Sequence, residues 1–427
     1  MTHINRALKR EVLQGLKDFP AVFINGPRQA GKSTLARHIS EKDWPAIYIT
    51  FDDGLIRAAA ENDPLGFARK FLDKPVVIDE VQRVPQLFLE LKHIIDELRH
   101  QKPDNANGRF LLTGSSNIMS YLKLADALVG RMRVLNLYPL SAAEAQDAPG
   151  EFAASLFDKK FFYEEGVFRK TDPAQLIADS TFPVLYGKGE SYAATWLADY
   201  AGTIVQRDIR ELADIEKARK IPDLMNIMAA HCTGLLNEAS LARDIRLNTM
   251  TFRRYRSLLE SVFVITLLPA WHSNKGLRMT KAPKIFFNDT LLMAYLRATN
   301  VKHEAAANSK SWGQVLENFV FTELLKQIAN NSRVKLHHFR TQDGKEVDFV
   351  LERADGDIVG IEVKSRHTID GGSFAGLNFL KETCGKKFRA GAVLYAGDKI
   401  VPFGENLYAM PLESLWRMRV EPQLTLE

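Results

Sequence analysis

The chain is poor in cysteine, with only Cys232 and Cys384 in 427 residues. Two isolated thiols match neither a metal-ligand spacing nor a disulfide framework, which points to a reducing, cytoplasmic setting. No apolar run reaches the about 18 residues needed to cross a bilayer, so no membrane association is expected. The opening Met1-Thr2-His3-Ile4-Asn5-Arg6 lacks the apolar core of a signal peptide. Neither an internal repeat nor a low-complexity tract is present. Charge of one sign does not dominate either. The formal net charge of +5 permits nucleic-acid binding without demanding it. What remains is ordinary globular composition over a length that predicts two or three domains, each burying its own core.

The most informative stretch present is Gly26-Pro27-Arg28-Gln29-Ala30-Gly31-Lys32-Ser33. It fits the phosphate-loop pattern G-x-x-x-x-G-K-[ST] at every fixed position. The apolar run Ala21–Asn25 precedes it, and an amphipathic pattern from Thr34 to Ile39 follows. Strand, glycine loop and helix is the context that the motif requires. The glycines let backbone N–H groups curl around phosphate oxygens, and the helix N-terminus adds its positive end. Residues Gly26 through Thr34 are therefore the expected nucleotide site. Lys32 neutralises the β and γ phosphates, and Ser33 holds Mg²⁺.

A second motif supports the first. Val76-Val77-Ile78-Asp79-Glu80 is a buried-type strand ending in two acids. Asp79 suits the ordering of Mg²⁺, and Glu80 the polarisation of the attacking water. An acidic turn after a core strand is the ordinary alternative. A third strand, Phe110-Leu111-Leu112-Thr113-Gly114, runs into Ser115-Ser116-Asn117. Ser116 or Asn117 could sense the γ-phosphate or position the water. Arg131 or Arg133, in Gly130-Arg131-Met132-Arg133, could act as an arginine finger for a neighbouring subunit, or be structurally paired.

Together with Trp196–Tyr200 and Gln206–Ile209, these motifs resemble the prokaryotic AAA+ ATPases that carry a C-terminal domain of unknown function. The resemblance covers nearly the whole chain. It implies a homo-oligomer, often a hexameric ring, that binds ATP with Mg²⁺.

The chain reads as an α/β protein in successive parts. Residues 1–150 alternate strand and helix, as in a parallel nucleotide-binding domain, ending near the capping pattern Ser141–Glu144. Residues 151–195 are expected as a lid or insertion. Residues 196–275 read as a helical, winged-helix-like segment. There, Asn237–Ile245 and Leu247–Tyr255 form a helix pair, followed by the strand Val262–Leu268. Arg253, Arg254 and Arg256 on the second helix could contact DNA, duplex or branched. The same basic face could instead pack on the protein's own ATPase domain or dock another protein.

Residues 280–427 carry a second candidate site. A helix with Glu317 precedes a strand at Val334–Phe339, a turn at Asp343-Gly344, a strand at Lys345–Leu351 and another at Ile358–Lys364. A helical stretch near 372–386 and a strand at Ala392–Tyr395 complete the region. Asp348, then Glu362-x-Lys364, matches the pattern of metal-dependent nucleases and looks like the restriction-endonuclease-like fold. Strand alternation puts Glu362 and Lys364 on one face. Asp348 and Glu362 could share Mg²⁺, with Glu317 as a further ligand and Lys364 stabilising developing charge. Solvated strand residues are the competing reading, although bare acids inside apolar strands are costly without a partner. Three functions follow: a DNA-processing ATPase with a nuclease-type domain, an ATPase switch acting on a protein partner, or an ATP-binding module without hydrolysis. Asp79-Glu80 argues against the last.

Overall fold

The computed structural model describes residues 4–101, 106–115, 130–158, 168, 172–209, 218–307 and 309–420. Two compact units emerge. The first comprises Met1–Pro139 with the short returning segments Phe182–Val184 and Ser261–Phe263, and the second comprises the rest.

In the first unit, five strands form a parallel sheet: β1 (Ala21–Asn25), β2 (Ile47–Thr50), β3 (Val76–Asp79), β4 (Phe110–Gly114) and β5 (Met132–Asn136). Their spatial order is β2-β3-β4-β1-β5. The central strands are apolar at nearly every position because helices cover both faces. Alternate residues divide between the two layers. Phe23, Ile78 and Leu112 pack on the helix Leu87–Gln101. Val22, Ile24, Val77 and Leu111 pack on the helices Leu8–Asp18 and Lys32–Lys42. Parallel register sets Asn25 beside Gly114 and Asn136, and Thr50 beside Asp79. Polar strand ends thus gather at one edge of an otherwise apolar sheet.

In the second unit, the helices Ile221–Ala230, Glu238–Asp244 and Thr249–Ser261 are followed by an antiparallel hairpin, β6 (Ile265–Leu268) and β7 (Lys284–Phe287). A bridge from Leu235 to Lys284 adds a third short segment to that hairpin. Asn237 and Asn248 accept hydrogen bonds from Ser240 and Thr251 backbone N–H groups, starting the second and third helices.

The helix Lys310–Ile328 leads into six further strands: β8 (Val334–Arg340), β9 (Glu346–Arg353), β10 (Ile358–Val363), β11 (Phe388–Tyr395), β12 (Val401–Pro402) and β13 (Leu407–Pro411). Their order is β12-β13-β11-β10-β9-β8. Strands β8, β9 and β10 form an antiparallel meander. The helix Ala375–Cys384 then crosses over to the parallel strand β11. Gly360 lets that helix come close, since a Cβ there would lie 2.6 Å from Leu377 Cδ2. The helix Lys310–Ile328 is buried over most of its length, and its Asn318 side chain bonds the Phe287 backbone and Thr290.

The stretch expected as a lid or insertion divides between the two units, Phe182–Val184 belonging to the first. Residues 140–181 belong to the second unit, with Gly150 and Glu151 N–H groups donating to Trp416 and Met418 carbonyls. The aromatics Phe152 and Phe157 of that stretch are buried.

Candidate functional site

The site in the first unit is assembled at the carboxyl ends of the strands. Gly26 leaves β1 with φ of 150°, and a Cβ there would lie 2.1 Å from the Leu137 carbonyl oxygen. Gly31 adopts φ of 93° and caps the helix Lys32–Lys42. Both positions need glycine, since an L side chain rarely adopts either φ. Lys32 is 5% exposed, and its ammonium donates to the Gly26 and Pro27 carbonyls at 2.9 and 2.7 Å. Arg6 buttresses the loop by donating to the Ala30 and Tyr138 carbonyls, each at 2.6 Å.

Asp79, buried at the end of β3, is the hub. One of its oxygens accepts Ser33 Oγ at 2.9 Å and also the Thr113 hydroxyl. The other accepts Tyr48 OH at 2.9 Å. Burial first, and Asp79 second, push the Tyr48 hydroxyl up to about 12, so it remains a donor. The Arg37 guanidinium lies 4.4 Å from the Tyr48 ring centre.

Glu80 follows in a left-handed conformation, φ 58°, and its N–H donates to Thr113 Oγ1 at 3.3 Å. Gln82 holds the Glu80 carboxylate through its amide nitrogen, which also reaches Ser115 Oγ at 3.0 Å. The acid that would polarise water is thereby tied to the end of β4. The oxygen-only pair Ser33 and Asp79, at the foot of a phosphate-type loop, fits Mg²⁺ carried with a nucleotide.

Asn117 and Ser116 lie outside the described residues. Arg131 is at the opposite end of the sheet from the loop, because β5 begins beside Ala21. Its guanidinium is engaged with both oxygens of Asp96, at 2.7 and 2.9 Å. The arginine-finger expectation for Arg131 thus meets a structural pairing instead. Tyr48, Thr113, Gln82 and Arg6 were not singled out by sequence. Tyr48 stands in an ordinary alternating strand, and nothing local marks it.

In the second unit, Arg253 and Arg256 both pair with Glu238, and Arg256 also with Glu260. The side chain of Arg253 remains 65% exposed, whereas that of Arg256 is 17% exposed. Arg254 is exposed. Arg256 lies between two carboxylates, Glu238 and Glu260.

The C-terminal acids come together in part. Asp348 Oδ2 accepts the Val363 N–H at 2.9 Å, and Glu362 accepts the Asp348 N–H at 3.3 Å. Lys364 Nζ lies 2.7 Å from Glu362 Oε1. Glu317 instead receives the ammonium of Lys284, from β7, at 2.9 Å. That ammonium also touches Glu346 at 2.6 Å and stands 3.8 Å from Asp348. Burial first, and Asp348 second, raise Glu317 and Glu362 to about 8. Burial also raises Asp348, against the lowering field of Lys284.

Among the described residues, no three Asp, Glu, His or Cys side chains converge as a metal site. Of the expected metal set, Glu317 and Glu362 each face a lysine, and Asp348 stands 3.8 Å from Lys284, so two ammoniums lie among these acids. Lys284 and Glu346 were missed in sequence, although one lysine in the apolar run Ile285-Phe286-Phe287 was a usable signal.

Residues 18–146 match the family described as AAA domain. Residues 172–304 and 312–415 match two domains of unknown function, DUF8612 and DUF4143. The chain is 27% identical to uncharacterized proteins of Mycobacterium tuberculosis (Rv2008c) and Mycobacterium bovis (Mb2031c), over 93% of this chain and 81% of each relative. Among solved structures, the Walker-type ATPase PABY2304 of Pyrococcus abyssi aligns with TM-score 0.44 and 16% identity, over 69% of this chain and 96% of that one. Cdc6p of Pyrobaculum aerophilum aligns with TM-score 0.26 and 12% identity, over 70% of this chain and 96% of that one. Among the described residues, no helix is long and apolar enough to cross a membrane.

Proposed function

From the AAA-type P-loop ATPase domain over residues 18–146, we propose that this chain is an oligomeric, DNA-associated ATPase whose turnover is coupled to its helical segment. The observation that carries the ATPase reading is the contact of Ser33 with Asp79 at the foot of the glycine loop, with Glu80 one residue beyond. Lys32 exchanges the Gly26 and Pro27 carbonyls for phosphate oxygens, and the loop amides fix those oxygens. Held by Ser33 and Asp79, Mg²⁺ would offset phosphate charge. Glu80, released by Gln82, takes the proton of the attacking water. Tyr48 and Thr113 keep the Asp79 carboxylate oriented.

DNA association is supported by the helix pair Glu238–Asp244 and Thr249–Ser261 with the β6–β7 hairpin. Exposed Met250, Arg253 and Arg254 lie on its second helix. Arg254 and Arg253 are the phosphate contacts in this reading. The order of the C-terminal strands, with the crossover helix between β10 and β11, supports the restriction-endonuclease-like fold for residues 280–427. A second reading, a switch acting on a protein partner, is favoured by the pairing of Arg253 and Arg256 with Glu238, which weakens the positive field of that helix. In it, the C-terminal region is a catalytically silent interaction module.

Steady-state ATP turnover, alone and with single-stranded, duplex and branched DNA at fixed salt, tests the proposal. Stimulation by one DNA form, absent in Glu80→Gln, is expected. Glu80→Gln should still bind ATP, whereas Lys32→Ala should not. Turnover indifferent to every DNA would replace the DNA reading by the protein-partner switch. Tight ATP binding by Lys32→Ala would overturn the site assignment.

A further inference from the structure

Lys284 is a buried cation that the nucleotide chemistry does not use. Its side chain is 4% exposed, and its ammonium faces carboxylates from two elements: Glu317 on the helix Lys310–Ile328, and Glu346 and Asp348 on β9. The lysine is held from both ends. Leu268 pairs it across the β6–β7 hairpin, and Leu235 bridges it on the other side. Two residues on, the Phe286 ring stacks on Phe321 at 4.3 Å and lies 5.6 Å from Phe349. Phe321 is one helical turn from Glu317, and Phe349 follows Asp348. The hairpin is therefore fastened to the same helix and strand whose acids the ammonium touches. The remaining acid, Glu362, has its own counter-ion in Lys364.

We propose that Lys284 is the resident cation of this acidic cluster: its tethered ammonium takes the place between Glu317 and Asp348 that a divalent ion would need, so the C-terminal region carries its acids without a metal. A divalent ion entering beside Lys284 would meet a like charge at close range, where Glu317, Glu346 and Asp348 already face that ammonium. The lysine thereby also links the hairpin to β9 of the six-stranded sheet by ion pairs. This inference concerns the C-terminal reading only and stands independently of the ATPase.

Mn²⁺ binding to the full-length chain without nucleotide, counted from the electron paramagnetic resonance signal of the free ion, tests it. Wild type and Asp348→Asn should bind the same number of ions. Lys284→Met should gain a bound Mn²⁺ that disappears in Lys284→Met/Asp348→Asn. A wild-type Mn²⁺ that is lost in Asp348→Asn, with Lys284 intact, would overturn the proposal. So would a folded Lys284→Met that binds no additional ion. Should Lys284→Met fail to fold, the comparison of wild type with Asp348→Asn and Glu362→Gln decides alone, an ion lost in either variant counting against the proposal.

Discussion

Acid should weaken the second unit through His337 and His338. Both side chains sit on β8, almost completely buried, and burial pushes each imidazole from 6.5 down to about 4. The unfolded chain takes up these protons near 6.5, while the folded chain resists until about 4. The stability held by the neutral pair is therefore complete above 6.5 and is lost as the pH falls from 6.5 toward 4. At about pH 5 the deficit is roughly 2 kcal/mol for one imidazole, at about 1.4 kcal/mol per pH unit. The side chains are adjacent, so the pair should lose roughly 2–4 kcal/mol. Glu317 and Glu362 act in the opposite sense. Raised to about 8 by burial and then by Asp348, they favour the protonated fold and stabilise it as the pH falls through 8. The imidazole contribution is isolated by comparing urea unfolding of wild type and His337→Gln/His338→Gln at about pH 7.5 and about pH 5. Tryptophan fluorescence is a suitable probe, since Trp196, Trp271, Trp312 and Trp416 lie in the second unit and Trp44 in the first. Wild type should lose roughly 2–4 kcal/mol more than the double variant between the two conditions. Equal losses would refute the assignment of the acid sensitivity to this pair.

Two further outcomes follow from the same structure. Tyr48→Phe removes one donor from the Asp79 carboxylate and leaves Ser33 and Thr113 in place. A loss of about 1–2 kcal/mol, or roughly 5- to 30-fold in kcat/KM for ATP, is expected, and unchanged kinetics would deny Tyr48 its orienting role. Burial pushes both Cys232 and Cys384 up to about 12. Neither thiol should react quickly with a disulfide reagent at neutral pH, Cys232 reacting only on unfolding, so rapid native labelling of both would contradict their packing.

The nucleotide loop was legible because its chemistry is contiguous: strand, two glycines, lysine and serine must follow one another for the backbone to form the cradle. Asp79 and Glu80 were legible for a similar reason, as acids at the end of an apolar run. The meander β8–β9–β10 announced itself through the Asp343-Gly344 turn and its apolar strands. Side chains brought in from a distance were not legible. Tyr48 reaches Asp79 across neighbouring strands, and Lys284 reaches Glu317 across 33 positions of chain. At Arg131 and Arg256 the carboxylates that engage them were not legible, because sequence counts a guanidinium without showing its partner. Residues 151–195 read only as a lid or an insertion, because their aromatics carry no period that says which surface they cover.

The first unit is not continuous in sequence. Phe263 belongs to it, and its ring meets Tyr138 edge-on with centroids 6.0 Å apart. During synthesis, the ribosome must therefore extend the chain roughly 120 residues past Pro139 before this unit has all its parts. At ordinary elongation speeds, that is a wait of roughly 6–25 s with Tyr138 uncovered. A gene truncated after Pro139 would keep all five strands of this unit but lack both returning segments, leaving Tyr138 without the Phe263 ring.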